Sequence, residues 1–173
     1  MLLQLIWLSV IWVDWCHPQH PVFMGERVVS ENKMYRLIEQ LKRHEGVKTH
    51  VYRDMNGLEH IGVGRNISKS GLGLTTDEID YLLSNDILRC IKELSSEYPW
   101  FGQLDSEPRQ EAIINIFLNL GATRFRGFKK AIAAMESGDY KLAATEFLDS
   151  RWSRQVKGRS LELTDIIRTG EYV

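Results

Sequence analysis

The sequence has few of the residues that build cross-linked or fibrous proteins. Among its 173 residues, two are cysteine, Cys16 and Cys90, and four are proline. Two cysteines this far apart exclude a scaffold of several disulfides and a four-cysteine zinc site. The chain also contains no internal repeats and no low-complexity segment, which excludes collagen-like and solenoid architectures. A chain of this length can instead be held together by a hydrophobic core.

An excess of charge of one sign is also absent. The chain carries 22 Lys and Arg against 23 Asp and Glu, a net charge of −1, and 43% of its residues are apolar. This balance is typical of a globular domain. No basic stripe, zinc motif or set of stacking aromatic residues is present, so we expect no nucleic-acid partner. Residues 124–168 alone carry ten Lys and Arg against six Asp and Glu, an excess that suits an anionic glycan.

The first 24 residues contain no Lys or Arg, and they include a short apolar run. This run covers residues 2–13 and is shorter than the roughly 20 residues that span a bilayer as a helix. It has the length of a signal-peptide core but lacks a basic leader and a cleavage site. Residues 1–30 are therefore a separate lead with three alternative roles: an export or membrane-tether segment, a segment packed on the domain, or untranslated codons before a later start.

From residue 31 the apolar spacing becomes helical. Tyr35, Ile38 and Leu41 predict an amphipathic helix that ends at Gly46. The sequence from Thr75 to Glu78 has the pattern of a capping box and opens a long helix that ends before Pro99. Beyond it we expect three helices and a polar tail: the helices cover 108–120, about 127–136 and 139–148, and the tail carries Leu161, Leu163, Ile166 and Ile167.

A small hairpin is predicted between the first helix and the long helix. Asn56-Gly57 stands between two short apolar-rich runs, which is the strongest short-range signal for a hairpin. The order is thus a helix, a hairpin sheet, a long helix and several shorter helices, which predicts a helix-dominated α+β fold. Trp100 and Trp152 are expected in the core, and Cys90 is expected to be buried in the long helix with an unpaired thiol. The alternative, for an exported protein, is a disulfide between Cys16 and Cys90.

Two carboxyl groups flank the predicted hairpin in contrasting surroundings. Glu45 is placed at the C-terminal end of the first helix, where the helix dipole disfavours its ionised form. Burial would add to this effect. Asp54 lies beside the turn among polar neighbours, where a carboxylate can stay ionised. Glycoside cleavage uses two carboxyl groups in contrasting environments, although spacing by itself favours ordinary solvated side chains at both positions.

A series of short motifs runs in order along the chain. It consists of Glu45-Gly46, Tyr52-Arg53-Asp54, Gly57, Ile61-Gly62-Val63-Gly64, Thr75-Thr76-Asp77-Glu78, Leu120-Gly121 and Ser150-Arg151-Trp152. Together these motifs resemble the signature of the phage-type lysozymes, glycoside hydrolase family 24, and the resemblance covers about residues 34–172. It implies that residues 31–173 form a lysozyme-like catalytic domain. In that fold, a long helix joins a small N-terminal lobe with a hairpin sheet to a helical C-terminal lobe.

The resemblance also implies an activity. It suggests a muramidase that hydrolyses the β-1,4 bond between N-acetylmuramic acid and N-acetylglucosamine in peptidoglycan, with no metal or other cofactor. The Glu, Asp, Thr triad of the family falls on Glu45, Asp54 and His60. Glu45 would be the general acid, and Asp54 would stabilise the oxocarbenium-like transition state or orient the attacking water.

Three further positions match family residues that contact the substrate or support the acid. Asn119, where relatives commonly have Gln, and Arg151 would bind substrate, and Arg159 would hold Glu45 by a charge-assisted hydrogen bond. We expect a monomer that acts on the periplasmic or extracellular cell wall. It would reach the wall by holin-type release or by export through the lead, with membrane contact through residues 2–13.

His60 departs from the family pattern, which has Thr at this position. A neutral imidazole can act as a base or attack carbon, which suggests an enzyme that retains configuration or transfers sugars. A two-residue Asn56-Gly57 turn would pair Asp54 with Glu59, whereas a three-residue loop over 56–58 would place Asp54 opposite His60. Glu59 is thus the alternative to His60. The altered triad also leaves a second function open, a catalytically impaired peptidoglycan-binding domain.

Overall fold

The structure is a computed structural model, and it describes residues 31–172, with side chains from Lys33 onward. The chain divides into two compact units, Met1–Gly73 and Leu74–Val173. The expectations for the lead, including membrane contact and the state of Cys16, lie outside the described residues. In the part that is described, no helix is both long enough and apolar enough to cross a membrane.

Within these residues the chain forms eight α-helices, one 3-10 helix and three strands. In chain order they are α1 (Glu31–Glu45), β1 (Lys48–Arg53), β2 (Glu59–Gly62), β3 (Arg65–Asn66), α2 (Thr76–Glu97), the 3-10 helix (Pro99–Gln103), α3 (Glu107–Leu120), α4 (Ala122–Phe125), α5 (Lys129–Glu136), α6 (Tyr140–Leu148), α7 (Arg151–Val156) and α8 (Gly158–Thr169). Helices dominate, and one small sheet follows the first helix, so the predicted α+β fold is confirmed.

The first unit consists of α1 and a three-stranded antiparallel sheet in the order β1-β2-β3. Helix α1 ends as predicted, because Gly46 has a φ of +73° and its N–H donates to the carbonyl of Lys42 at 3.0 Å. Glycine adopts this left-handed conformation without a steric penalty. Strands β1 and β2 pair Tyr52 with His60 and Arg53 with Glu59.

The loop between β1 and β2 differs from both predicted registers. The N–H of Asp54 donates to the carbonyl of Leu58 at 3.0 Å, so the loop has three residues, 55–57, and begins one position earlier than the predicted three-residue loop. Asp54 therefore lies opposite Leu58, and neither predicted pairing is correct. Asp54 and His60 still share one face, because His60 pairs with Tyr52, two residues from Asp54.

The second unit begins with the predicted capping box. The N–H of Glu78 donates to Thr75 Oγ1 at 3.3 Å, and the N–H of Thr75 donates to Glu78 Oε2 at 2.8 Å. The core of the unit is aromatic and aliphatic, and its fully buried members include Leu94, Ile113, Ile116, Phe117, Phe125, Phe147 and Ile167. Trp100, Trp152 and Cys90 are buried too, which confirms the expectation for these three side chains.

The predicted polar tail is wrong, because residues 151–169 form α7 and α8. Leu163, Ile166 and Ile167 of α8 are buried in the core. Helix α8 has no side-chain N-cap. The residue before it is Lys157, at a φ of +49°. Strand β3 and helix α4 were not predicted either, since two and four residues are too short to show a periodicity.

Candidate active site

Asp54 is held by the loop that it closes. Its Oδ1 atom accepts hydrogen bonds from two backbone N–H groups, those of Asn56 at 2.9 Å and Leu58 at 2.8 Å. An aspartate at the first position of a tight turn commonly binds backbone N–H groups in this way. Because one oxygen is occupied by the backbone, the other, Oδ2, is the atom available for chemistry.

The surroundings of Asp54 favour its ionised form. The hydrogen bond from the Leu58 N–H lowers the pKa of the Asp54 carboxyl below its ordinary value, and the Asn56 N–H and nearby His60 add to this effect. Partial burial opposes them without reversing the direction. The sequence-based expectation of an ionised Asp54 is therefore supported by named donors in the hairpin.

His60 lies beside Asp54 with its ring orientation fixed at both nitrogens. Nδ1 is 3.1 Å from the carbonyl oxygen of Gly64. A carbonyl can only accept, so Nδ1 carries the proton. Nε2 then points to Asp54 Oδ2, 3.4 Å away. Nε2 is buried, and the carboxylate beside it can only accept, so this contact is attractive when Nε2 also carries a proton; in the neutral imidazole Nε2 holds the lone pair.

Tyr52 covers the His60 ring from the neighbouring strand. The two ring centroids are 5.7 Å apart and the ring planes are inclined by 29°. The sequence analysis did not assign Tyr52 a role of its own. Its position two residues before Asp54 was a usable signal, because alternate residues of a strand point to the same face.

Glu59, the alternative to His60, points elsewhere. It pairs with Arg53 across the strands, and its Oε1 atom is 3.0 Å from Arg53 Nη2. Both residues occupy the face opposite to Asp54 and His60. The structure therefore brings His60, and not Glu59, to the Asp54 carboxylate.

Glu45 is the last residue of α1, as predicted. Lys42, Arg43 and His44 precede it in the last helical turn. The side chain of Glu45 is exposed, so the burial considered for it in the sequence analysis is not found. The helix end and the hairpin thus place the two carboxyl groups in different local environments within the first unit.

The remaining predicted residues lie in the second unit. Asn119 and Arg151 line one groove of about 480 Å³, together with Arg124, Phe128, Trp152, Gln155 and others. The Nε1–H of Trp152 donates to Asn119 Oδ1 at 2.8 Å, a contact that sequence reasoning missed. Arg159 donates to the side chain of Asn115 in α3 through Nε, at 3.1 Å, and through Nη2. Its support of Glu45 stays a prediction.

A glutamate at a helix end, followed by an ionised aspartate in a hairpin, is an arrangement suited to two-carboxylate glycoside cleavage. On an α+β fold with this order of elements, it fits the class of lysozyme-like glycoside hydrolases.

Comparison with known proteins agrees with this class and narrows it. The profile of the phage lysozyme family matches residues 42–168, and the chain belongs to this family.

Three relatives are similar over most of the chain. The pre-baseplate central spike protein Gp5 of Enterobacteria phage T4 is 28% identical over 85% of this chain, but the chain spans only 30% of that protein. Probable T4-type lysozymes 1 and 2 of Dictyostelium discoideum are each 26% identical, over 76% and 78% of this chain. The match covers 93% and 94% of those two proteins.

Proposed function

We propose that this protein is a lysozyme that hydrolyses the β-1,4 bond between N-acetylmuramic acid and N-acetylglucosamine in bacterial peptidoglycan. The observation that carries the proposal is the carboxylate of Asp54, held at Oδ1 by two backbone N–H groups and faced by His60 at Oδ2. Membership of the phage lysozyme family and the similarity to proteins named probable T4-type lysozymes support it.

In the proposed reaction, Glu45 is the general acid and Asp54 the stabilising carboxylate. Glu45 gives its proton to the glycosidic oxygen while the bond from that oxygen to C1 breaks. The positive charge that develops on C1 and the ring oxygen is stabilised by Asp54. Asp54 suits this role because its charge is already oriented by the loop and needs no rearrangement during the reaction.

His60 is proposed to make the reaction retain configuration or transfer sugars. With Nδ1–H bound to Gly64, the lone pair of Nε2 can attack C1 as the leaving oxygen takes the proton of Glu45. Water or a sugar hydroxyl then displaces the imidazole from C1 and gives its proton to Glu45, which restores both side chains. Because Nε2 is buried, the groups that cover it must move aside to admit C1 of the sugar before the attack.

Asn119 and Arg151 are proposed to bind the glycan in the groove of the second unit. The guanidinium group of Arg151 and that of Arg124 line the same groove, and both can pair with carboxylates of peptidoglycan. Arg159 is proposed to support Glu45. These three assignments rest on the family positions.

The proposal is tested by replacing Glu45. Clearing of outer-membrane-stripped Gram-negative cells is measured for the wild type, Glu45→Gln and Glu39→Gln. Glu39 lies on the same helix and pairs with Lys42 at 2.9 Å, so its variant is a matched control. Loss of a general acid lowers the rate by about 100-fold or more, and we expect this loss for Glu45→Gln alone.

Two results would contradict the proposal. Clearing by Glu45→Gln at the wild-type rate would show that Glu45 is not the general acid. No clearing by the wild type, together with binding to purified sacculi, would favour the impaired binding domain.

The role of His60 is tested by the stereochemistry of the product. The anomer of fresh product and the amount of sugar-transfer product are compared for the wild type and His60→Thr. We expect retention or transfer in the wild type and a decrease of both in the variant. Pure inversion that is unchanged in His60→Thr would refute the role of the histidine and leave the lysozyme assignment intact.

A further inference from the structure

Three contacts determine where the His60 imidazole points. One is the hydrogen bond from Nδ1 to the Gly64 carbonyl at 3.1 Å, and another is the approach of Nε2 to Asp54 Oδ2 at 3.4 Å. The ring of Tyr52 provides the third, because it stacks on the imidazole across the β1–β2 pair. Of these three contacts, that of Tyr52 is the one made with the face of the imidazole ring.

The Gly64 contact by itself fixes one nitrogen but leaves the imidazole free to turn. A hydrogen bond to Nδ1 selects the tautomer, whereas rotation about that bond would still move Nε2 away from Asp54. Stacking of two rings restricts such rotation and contributes beyond the area that it buries. Both rings are half-buried, so the contact is partly shielded from water.

We infer that Tyr52 is a positioning residue for His60. Its ring restrains the rotation of the imidazole, so that Nδ1 stays at the Gly64 carbonyl, Nε2 stays directed at Asp54 Oδ2, and the histidine and the carboxylate form one unit before substrate arrives. Orientation of a reacting group in advance raises the rate of the chemical step rather than the affinity for substrate. This inference rests on the proposed function for its kinetic consequence only, since the ring geometry exists without substrate.

The neighbouring residue provides a matched control. Val51 precedes Tyr52 in the same strand and is 52% exposed. Replacement of either residue by leucine introduces the same side chain into β1. The variants Tyr52→Leu and Val51→Leu therefore differ in whether the stacking is lost. Tyr52→Phe removes only the hydroxyl and keeps the ring.

The first measurement is the tautomer of His60 by ¹⁵N NMR of the full chain, together with a circular dichroism spectrum of each variant. We expect the Nδ1–H form in the wild type, Val51→Leu and Tyr52→Phe, and a mixture of tautomers in Tyr52→Leu. An Nε2–H form in the wild type would overturn the inference even if Tyr52→Leu did not fold. A wild-type tautomer in folded Tyr52→Leu would overturn it as well.

The second measurement is the kinetics on soluble peptidoglycan fragments. We expect kcat of Tyr52→Leu to fall by about fivefold, which corresponds to the strength of one aromatic pair, with KM nearly unchanged and Tyr52→Phe close to the wild type. An equal loss in Tyr52→Phe and Tyr52→Leu would assign the effect to the hydroxyl and overturn the inference. A wild-type protein without any activity would refute the proposed function, while the NMR result would still decide the position of His60.

Discussion

Asp54 has two tasks at the scale of a single residue, and its two oxygen atoms divide them. Oδ1 closes the loop by accepting from Asn56 and Leu58, and Oδ2 faces His60. The structural task needs an acceptor but no charge, whereas stabilisation of a cation needs the charge. The two tasks can therefore be separated by substitution.

Asp54→Asn is expected to keep the loop and lose the activity. Its amide oxygen can accept the same two N–H groups, but it carries no charge, so we expect the rate of cell-wall clearing to fall by about 100-fold. Asp54→Ala should lose both the activity and the loop. Amide hydrogen exchange of Leu58 checks this: protection should persist in Asp54→Asn and decrease in Asp54→Ala. Equal protection in the two variants would contradict the division of tasks.

The same carboxyl makes stability depend on pH. Its pKa in the folded protein is lower than its ordinary value of 3.8, so the folded state is more stable when this carboxyl is ionised than when it is protonated. The contribution is complete above pH 3.8 and is lost as the pH falls through the lower, folded value. In urea unfolding, we expect the difference between the wild type and Asp54→Asn to narrow below pH 3.8. A difference that stays constant from pH 5 to pH 2 would contradict this origin.

At the residue scale, sequence reasoning named candidate residues but not their contacts. Asp54 and His60 were named from the motif, and in the structure Asp54 Oδ2 lies 3.4 Å from His60 Nε2. The stacking of Tyr52 and the Gly64 carbonyl were missed. Both depend on the strand register, in which Asp54 lies opposite Leu58 and Tyr52 pairs with His60.

At the scale of elements, local signals determine where the long helix begins. The capping box at Thr75 satisfies N–H groups that the first turn of α2 would otherwise leave without partners. Residues 75 to 78 are contiguous, so the signal does not depend on the rest of the fold. This signal predicted the start of α2, whereas α8 has no side-chain cap.

Thr75→Ala is expected to destabilise the protein by about 1 kcal/mol, since an N-cap hydroxyl that accepts from the first turn contributes this much. Thr76→Ala is the matched control, because Thr76 is the first helical residue and is also exposed. Urea unfolding followed by circular dichroism measures both variants. If Thr76→Ala lost as much stability as Thr75→Ala, the capping hydrogen bond would not be the cause.

At the scale of the whole molecule, the structure describes two units. In the second unit, the side chain of Arg109 connects elements that are far apart in sequence. The guanidinium of Arg109 in α3 donates to the carbonyl of Ile167 in α8 at 2.8 Å and to Asp105, and it lies 3.9 Å from the ring centre of Tyr140. Arg109 is buried, so these contacts satisfy a charge that would otherwise be costly in the interior. Gly170 packs directly against this group.

Gly170→Ala is expected to destabilise the protein more than Gly138→Ala. Both glycines have a positive φ, +81° and +75°, so both variants lose about 1 kcal/mol from backbone strain. A Cβ at Gly170 would also lie 2.7 Å from Arg109 Cζ, whereas one at Gly138 would meet no atom within 4 Å. We expect a further loss of about 1 kcal/mol from this clash, measured as a lower Tm. Equal Tm values would show that the Arg109 side chain can move aside.

The sequence by itself determined the fold class, the limits of the strongly patterned helices and the residues of the candidate site. These features depend on signals that are close together in the chain: apolar spacing, capping residues, glycines after helices and the ordered motifs. The tertiary structure decided the register of the hairpin, the partners of His60 and the burial of α8. Each of these is settled by contacts across strands or between helices, such as that of Arg109 with Ile167, and the energy of such contacts is absent from any local pattern.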